Sequence, residues 1–403
     1  MESFGRAARR ALGKPGALVR FGAVDRDFGL TDDQRDIVRT VREFVADRAR
    51  PSAAGYEEKK EFPRDLFQQL GDMGLAGIPY EERYGGAGQP FLTYLLVLEE
   101  LATGFLSLAM ALSVHHLSAF GLHRFGSEQL KEKYLPRLFS GEWLGAYALS
   151  EASSGSDAAS LRTRADRVDG GYRLTGSKRF ISHGGEAEFY LVMARTGGEG
   201  PKGISAFIVE KDRPGFDFGK LEEKMGWTAS PMRELLFEGC EVPAENLVGE
   251  EGQGFTIALA GLDSGRLGIA ACSVGLAHAA FDAAVSFARE RHQFGRPVIE
   301  FQGIQFMLAD MATQIEAARR LYREAARLRD GGERYSIAAS MAKLFASDTA
   351  MRVTTDAVQV HGGYGYMQEY PVERYMREAK ALQIVEGTNQ IQRIVIGRHL
   401  AGT

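Results

Sequence analysis

The sequence predicts an α+β protein whose helices and strands occupy separate stretches of the chain. Residues 31–139 carry apolar side chains at the three- and four-residue spacing of helices that bury one face. From about residue 149 to residue 243, short runs of β-forming residues are separated by Gly, Ser and Asp, which is typical of strands joined by turns. The helical period returns at residue 256, and the sequence lacks the βαβ alternation of a doubly wound sheet.

Length and composition indicate several structural units. The chain has 403 residues, more than a single hydrophobic core usually supports, so two or three units are expected. Its 44% hydrophobic and 25% charged residues are those of an ordinary globular protein. We predict an N-terminal extension at residues 1–27, a helical domain at 28–146, a β domain at 147–255 and a C-terminal helical domain at 256–403.

Charge and cysteine content exclude several classes of protein. A formal net charge of -4 gives no general attraction to nucleic acid or to an acidic membrane. No segment approaches the roughly 20 uninterrupted apolar residues of a membrane span, so an integral membrane protein is not expected. Cys240 and Cys272 are too few for a disulfide framework and lack the spacing of a zinc site, which fits a reducing compartment. We expect small-molecule or protein partners and no metal.

Residues 1–24 are basic and have no apolar core like that of a secretory signal. The segment is an organelle-targeting peptide, or it is an Ala- and Arg-rich tail or surface helix. The first alternative places the protein in the mitochondrial matrix, and the second fits the cytoplasm of a bacterium.

The first helix begins with a capping signal. Thr31 and Gln34 have capping-box spacing, and Ile37 and Phe44 then share one helical face. Proline lacks the N–H that a helix interior needs, so this helix is predicted to end at Pro51. Similar patterns predict helices at residues 66–73, 91–103, 106–125 and 127–139.

The remaining elements are predicted from the same two periods. Strands are expected at residues 172–174, 189–194, 204–209 and 235–242. Helices are expected at residues 256–291, 304–329, 336–361, 372–384 and 388–399. These helices are long enough to pack as a bundle.

Two segments in the middle of the chain could contact a ligand. Residues 148–157 combine hydroxyl groups with glycine, so they either present donors to a phosphate or heterocycle or form an ordinary turn. In residues 178–185, the ring of Phe180 either lies against a flat cofactor or is a core aromatic at a strand end.

Two further segments lie near the C-terminus. Residues 359–366 hold a glycine cluster, which permits close approach of a ligand or caps the preceding helix. Glu386 lies between an apolar stretch and a helix start at Thr388. Its carboxyl group is either partly desolvated, and so a base near neutral pH, or an acid stabilised by the helix N-terminus.

Together these segments form a specific set of motifs in a fixed order. The motifs are Ser150-Glu151-x-x-Ser154-Gly155-Ser156-Asp157, Arg291-x-x-Phe294-Gly295, Gln359-x-x-Gly362-Gly363-x-Gly365, Tyr370-Pro371 and Glu386-Gly387-Thr388. In order and spacing the chain resembles the acyl-CoA dehydrogenases from about residue 30 to the C-terminus. It is most similar to members that act on short straight or branched acyl chains.

The resemblance implies an N-terminal helical domain, a middle β-barrel domain and a C-terminal four-helix bundle. It also implies bound FAD, a homotetramer and dehydrogenation of an acyl-CoA thioester to the trans-2-enoyl-CoA, with electrons passed to electron-transfer flavoprotein. Three alternatives stay open: a flavin oxidase or monooxygenase on the same scaffold, a dehydrogenase of acyl-carrier-protein thioesters, and a non-catalytic binding protein.

The resemblance also assigns cofactor contacts. Ser150 resembles the hydroxyl residue at the flavin ring, Ser182 resembles the one near flavin N5, and Phe180 stands where the family has a Trp. Ser156 is expected near the flavin diphosphate or the thioester tail. Contacts to FAD of a neighbouring subunit are implied for Arg291, Phe294, Gln302, Gln359 and Gly363, and adenine-side contacts for Thr388 and Gln390.

Glu386 resembles the catalytic base, which removes the α-proton while the β-hydride moves to the flavin. Some relatives carry their base at the position of Gly265, so Glu386 has no rival in this chain. Arg266 resembles a residue at the CoA-binding entrance, or it is a helix-surface Arg paired with Asp263. Substrate contacts are expected from Ser156, Arg266, Val385 and Gly387.

Some positions depart from the family pattern. Ala152 and Ser153 replace Pro-Gly, and Val385 replaces a common Tyr. His183, where Asn is frequent, either titrates near the flavin or hydrogen-bonds in a turn. His115 and His116 are expected to be packing residues.

Overall fold

The computed structural model describes residues 26–402, so the targeting or tail hypothesis for residues 1–24 lies outside the described part of the chain. Helices come first in this range. Those predicted at residues 66–73, 91–103, 106–125 and 127–139 begin and end close to the expected positions, whereas the helix at Arg50–Lys59 was not predicted. The helices are α1 (Asp32–Phe44), α2 (Arg50–Lys59), α3 (Arg64–Asp72), α4 (Phe91–Ala102), α5 (Leu106–Phe125) and α6 (Glu128–Phe139).

The first helix starts as predicted but does not end as predicted. Thr31 and Gln34 form the reciprocal capping box, with side chain to backbone distances of 3.2 and 3.1 Å. The predicted end at Pro51 is wrong, because a wide π-helical turn at Val45–Ala49 leads directly into α2. Pro51 lies in the first turn of α2, where proline is tolerated since that N–H needs no acceptor within the helix.

A mostly antiparallel sheet follows the first helices. Its strands pair in the order β6-β7-β3-β2-β4-β5-β8, and β1 pairs with β4 in parallel. The register between β3 and β7 shifts between Lys178 and Ile181, which releases Phe180 from the ladder. The strands are β1 (Gly145–Ala148), β2 (Arg164–Val168), β3 (Gly171–Ser182), β4 (Phe189–Arg195), β5 (Ile204–Glu210), β6 (Phe216–Phe218), β7 (Met232–Pro243) and β8 (Leu247–Val248).

Long helices complete the fold. They are α7 (Gly254–Glu290), α8 (Gln302–Asp330), α9 (Ser336–His361), α10 (Val372–Leu382) and α11 (Asn389–Ala401), with a short hairpin of β9 (His292–Gln293) and β10 (Arg296–Pro297) before α8. Helix α7 packs against α4, α5, α8 and α9. Helices, then a sheet, then helices therefore follow one another along the chain, and the α+β class is confirmed.

Helix α7 is apolar over much of its length. Within residues 26–402 it is the one helix long and apolar enough to cross a membrane, judged by length and composition alone. However, 78% of its most apolar 18-residue window is buried inside the protein. The helix is apolar because its neighbours cover it on several sides.

Candidate active site

The carboxyl group of Glu386 is buried in the turn between α10 and α11. Neither of its oxygens has a hydrogen-bond partner among residues 26–402. Burial raises the pKa of Glu386 to about 8, although the charges of Lys343 and Arg266 act in the opposite direction. The carboxyl group thus lacks the backbone N–H bonds of an acid held at a helix N-terminus, and the desolvated alternative is the one observed.

Helix α7 makes room for this carboxyl group at Gly265. A Cβ atom at Gly265 would lie 1.9 Å from Glu386 Oε2 and 2.7 Å from Glu386 Cδ. Only glycine leaves that volume free. At Gly268, a Cβ atom would lie 2.8 Å from Ser113 Oγ and 3.3 Å from Leu98 Cδ1, so α7 packs tightly against α5 and α4 at this level.

The backbone of the Glu386 turn is unusual and is held from two sides. Glu386 has φ +55° and Gly387 has φ +90°, both in the left-handed region. The carbonyl oxygen of Gly387 accepts hydrogen bonds from Lys343 Nζ at 3.0 Å and from Gln392 Nε2 at 2.8 Å. Sequence reasoning missed Lys343, although a single lysine among the small and apolar residues 339–346 was a signal.

Arg266 lies beside the same turn. Its Nη1 donates to Asp263 Oδ1 at 2.6 Å and lies 3.4 Å from Ser340 Oγ. The ion pair with Asp263 is therefore confirmed, but Arg266 is only 5% exposed and is not a surface residue. A Cβ atom at Gly387 would lie 3.9 Å from Arg266 Nη2, which places the guanidinium next to the turn.

The other titratable groups near Glu386 are neutral at physiological pH. Burial raises the pKa of Tyr94, Tyr147 and Cys272, and the charge of Glu386 raises each further. Because these groups stay protonated, they do not compete with Glu386 as proton acceptors. Across residues 26–402, no group of three His, Cys, Asp or Glu side chains is arranged to hold a metal ion.

Residues 148–157 form a turn anchored by a buried ion pair. Lys178 Nζ lies 2.8 Å from Glu151 Oε1 and donates to the carbonyl oxygen of Leu149 at 3.1 Å. Glu151 also accepts two backbone N–H groups, at 2.6 and 2.9 Å. The carbonyl oxygen of Ser150 accepts the Arg179 N–H at 2.8 Å. This turn is therefore fixed to the end of β3.

Replacing Lys178 with Met is expected to lower the free energy of unfolding by about 3–5 kcal/mol, because it leaves the buried Glu151 carboxylate without its cation. Denaturant unfolding of the purified protein measures the loss. The exposed Lys202 provides the control, and Lys202→Met should change stability by less than about 0.5 kcal/mol. Equal stability of the two variants would contradict the structural role of the pair.

The end of β3 presents an aromatic ring and hydroxyl groups together. Phe180 is 58% exposed and has φ +61°, so the core-aromatic alternative is wrong. Ser182, two residues further along, and Ser150, in the adjoining turn, are both half-buried. Ser156, further along residues 148–157, is exposed.

The histidines singled out in the sequence are structural. His183 is buried, and its Nδ1 donates to the carbonyl oxygen of Gly145 at 2.9 Å. Burial lowers the pKa of His183 to about 4, so it is neutral at physiological pH and the hydrogen-bonding alternative is confirmed. His115 Nδ1 accepts the Gly145 N–H at 3.0 Å, and His116 stacks on Tyr94 with ring centroids 3.9 Å apart.

A cleft of about 810 Å³ lies between α7, α8 and the end of α9. Arg291, Phe294 and Gly363 line it, and Phe294 is 94% exposed. Gln302 and Gln359 are exposed but do not belong to the lining that the described chain provides. The glycine cluster also caps α9, since Gly362 is its C-cap residue with φ +59°.

The site residues predicted from the sequence thus fall into three groups in the structure. Val385, Glu386 and Gly387 form the turn between α10 and α11, and Arg266 lies beside it. Thr388 caps α11 by accepting the N–H of Ile391 at 3.3 Å. Gln390 is exposed. A second group is Ser150, Phe180 and Ser182, and a third is Arg291, Phe294 and Gly363.

Comparison with known proteins identifies the family. Models of the N-terminal, middle and C-terminal domains of acyl-CoA dehydrogenases match residues 31–142, 146–240 and 252–401, respectively. The chain belongs to the acyl-CoA dehydrogenase family. The resemblance read from the motifs is therefore confirmed over nearly the whole described chain.

Individual acyl-CoA dehydrogenases are similar throughout their length. A mitochondrial isobutyryl-CoA dehydrogenase of Dictyostelium discoideum is 44% identical over 93% of this chain and 90% of the relative. The structure of butyryl-CoA dehydrogenase from Megasphaera elsdenii has a TM-score of 0.91 and 46% identity over 93% of this chain and all of its own. A structure from work on the electron transferring flavoprotein of Acidaminococcus fermentans and on electron bifurcation has a TM-score of 0.91 and 49% identity, over 93% of this chain and 99% of its own.

Acyl-CoA dehydrogenases are FAD-dependent oxidoreductases, and the side chains of this member fit that cofactor. The exposed ring of Phe180 lies in the same region as two hydroxyl groups, which suits a flat polar heterocycle. In the separate cleft, a guanidinium from Arg291 faces mostly apolar walls. Apart from the local backbone and the neighbours of Gly363 in the chain, no described heavy atom lies within 4 Å of a Cβ placed at Gly363. These features suit an anionic diphosphate and a closely approaching ligand.

Proposed function

We propose that this acyl-CoA dehydrogenase converts a short acyl-CoA to its trans-2-enoyl-CoA, with Glu386 as the base that removes the α-proton. One observation carries the proposal. Glu386 has a buried carboxyl group that lacks a hydrogen-bond partner in residues 26–402, lies in the space left by Gly265 and has a pKa raised to about 8. A carboxyl group that only stabilised the fold would be expected to have its oxygens hydrogen-bonded.

The chemistry requires a base of this kind. The α-proton of a thioester is weakly acidic, so the base must have a pKa near the working pH and must be shielded from water. Lys343 and Arg266 oppose the effect of burial, so part of the Glu386 population is ionised at physiological pH. FAD, when bound, accepts the hydride from the β-carbon.

We assign the cofactor contacts to the two other groups of residues. Ser150, Phe180 and Ser182 would hold the flavin ring, and Ser156 would reach the diphosphate or the thioester tail. The contacts from Arg291, Phe294, Gln302, Gln359 and Gly363 would go to FAD of a neighbouring subunit, with Thr388 and Gln390 towards the adenine. Arg291, Phe294 and Gly363 line a cleft whose lining does not include the Glu386 turn, and this supports a homotetramer in which subunits share cofactors.

The proposed substrate is a short acyl-CoA, straight or branched. Butyryl-CoA and isobutyryl-CoA are named for the relatives above. The tight packing of Gly268 against Ser113 and Leu98, one helical turn beyond Gly265, supports a pocket of limited depth. Val385, Gly387 and Arg266 would contact the thioester end.

We further propose that electrons pass to electron-transfer flavoprotein, as the structure from Acidaminococcus fermentans suggests. Both cysteines are buried and free, which fits a reducing compartment. The bacterial cytoplasm is the proposed location, or the mitochondrial matrix if residues 1–24 are a targeting peptide.

Anaerobic mixing of the flavin-bound protein with a panel of acyl-CoAs tests the reaction. Loss of flavin absorbance with formation of the trans-2-enoyl-CoA, largest for butyryl-CoA or isobutyryl-CoA, is the expected result. Reoxidation should be fast with electron-transfer flavoprotein and slow in air. Fast reoxidation in air would favour a flavin oxidase. Activity only with acyl-carrier-protein thioesters would show that these, and not acyl-CoAs, are the substrates. If no thioester reduced the flavin, a non-catalytic binding protein would be favoured.

The rate of flavin reduction at low substrate concentration is expected to rise with pH and to level off above about pH 8. The sign follows from the base, because only the ionised carboxylate accepts a proton and its fraction grows as pH rises through the pKa. Stopped-flow absorbance from about pH 6 to about pH 9.5 measures the profile. A rate that is constant over this range would contradict the assignment.

A further inference from the structure

We propose that Lys343 is a positioning residue for the reaction, which holds the Glu386 turn in place and supplies the positive charge that favours the carboxylate. The inference rests on the proposed role of Glu386. It concerns a side chain on α9, remote in sequence from the turn that it contacts. Lys343 is fully buried, which is rare for lysine unless its ammonium group is bonded.

The first part of the argument is the hydrogen bonding of the ammonium group. Lys343 Nζ donates to the carbonyl oxygen of Gly387 at 3.0 Å and to Asn389 Oδ1 at 2.7 Å. Asn389 is fixed in turn, because its Nδ2 donates to Ser347 Oγ at 2.9 Å and to Asp348 Oδ1 at 2.7 Å. These bonds connect α9 to Gly387, the residue after Glu386 in the turn, and to Asn389, the first residue of α11.

The second part is that the turn needs to be held. Glu386 is not a glycine, yet it has φ +55°, a conformation that costs roughly 1–2 kcal/mol for residues with a Cβ. Such a conformation persists only when its surroundings enforce it. Lys343 and Gln392 both donate to the Gly387 carbonyl, so removal of Lys343 leaves that carbonyl, the one next to Glu386, with Gln392 as its remaining donor in the described chain.

The third part is charge. Lys343 is first among the charges that lower the pKa of Glu386, followed by Arg266, while burial raises it. Burial lowers the pKa of Lys343 itself to about 8, and Glu386 and Asp348 act against that effect. The remaining titratable groups that face Glu386 are neutral, namely Tyr94, Tyr147 and Cys272. The two groups therefore titrate as a coupled pair, and loss of the lysine charge moves the carboxyl titration to higher pH.

Two variants distinguish the effect of the Lys343 hydrogen bonds on the turn from the effect of its charge on Glu386. Lys343→Met removes both the donor and the charge, whereas Lys343→Gln removes the charge and retains an N–H donor on a side chain one bond shorter. In the flavin-bound protein, both variants should shift the pH profile of flavin reduction upward by about one pH unit or more. Lys343→Met should also lower the plateau rate at high pH by about tenfold or more, because a displaced base reacts slowly even when ionised.

Lys380→Met is the matched control. Lys380 is exposed on α10 and donates to Gln383 Oε1 at 2.9 Å, so its replacement removes one lysine charge from the neighbouring helix and no bond to Gly387. This variant should keep both the plateau rate and the profile of the unmodified protein. A loss of fold alone cannot move a pH profile, and FAD content per subunit identifies any variant that has not folded.

The outcomes are distinct. If Lys343→Met yields no flavin-bound protein, Lys343→Gln still tests the shift of the profile. Profiles in either folded variant that match the unmodified protein would overturn the inference while the proposed reaction stands. Failure of the unmodified protein to reduce its flavin with any acyl-CoA would instead overturn the proposed function on which the inference rests.

Discussion

Replacing Glu386 with Gln is expected to slow flavin reduction by acyl-CoA by about a thousandfold or more, while FAD stays bound. Glutamine has nearly the same shape but is neutral and cannot accept the α-proton as a carboxylate does. The rise of the rate with pH should disappear as well, because the titrating base is gone. Stopped-flow absorbance under anaerobic conditions measures both effects.

The stability of this variant distinguishes loss of chemistry from loss of fold. The Glu386 oxygens lie buried without hydrogen-bond partners in the described chain, so a neutral side chain removes no bond that stabilises the protein. The thermal midpoint and the FAD content of Glu386→Gln should therefore equal or exceed those of the unmodified protein. A large fall in either quantity would mean that the side chain has a structural role.

Glu378 supplies a matched control for the same substitution. It is also buried, and burial likewise raises its pKa to about 8, but it lies on α10 with its carboxyl group 3.6 Å from Arg374 Nε. Glu378→Gln should keep flavin reduction near the rate of the unmodified protein. If both variants lost activity equally, a raised pKa alone would not identify the base, and the assignment to Glu386 would fail.

The elements that the sequence predicts well are those with a strong local signal. Helix α5 begins and ends at the residues that its apolar period indicates, and the capping box at Thr31 has the expected bonds. Pro51 misled the prediction, because a π-helical turn before it restarts the helical pattern and places proline in a first turn. That turn depends on packing and leaves no mark in the local sequence.

In the candidate site, too, the features that depend on contacts between distant parts of the chain could not be predicted. The exposure of Phe180 follows from a register shift between β3 and β7, and pairing between distant strands decides such a shift. Lys343 was missed for a similar reason, since its partners belong to a turn that only the packing of α9 against α11 brings within reach. Motif reasoning singled out Glu386 and left two environments open for its carboxyl group, and only the packing of the folded chain decided for the desolvated one.

Replacing Gly265 with Ala is expected to slow flavin reduction by about a hundredfold with little loss of stability. The new Cβ atom would lie 1.9 Å from Glu386 Oε2, so the carboxyl group must move. This movement is inexpensive because the atom ends a flexible side chain, and alanine favours a helix more than glycine does. The protein should therefore fold and bind FAD, but its base would be displaced from the α-proton.

Gly397→Ala is the control, since it makes the same change in helix α11, where the new Cβ has no described heavy atom within 4 Å apart from its chain neighbours and the backbone of its own helix. It should leave the reduction rate unchanged. Gly265→Ala should also have almost no further effect in a Glu386→Gln background, because two substitutions that disable one base do not add. If Gly265→Ala instead lowered the reduction rate of the Glu386→Gln variant by a further large factor, Gly265 would serve substrate binding or packing. The space that it leaves in α7 would then not be what positions the base.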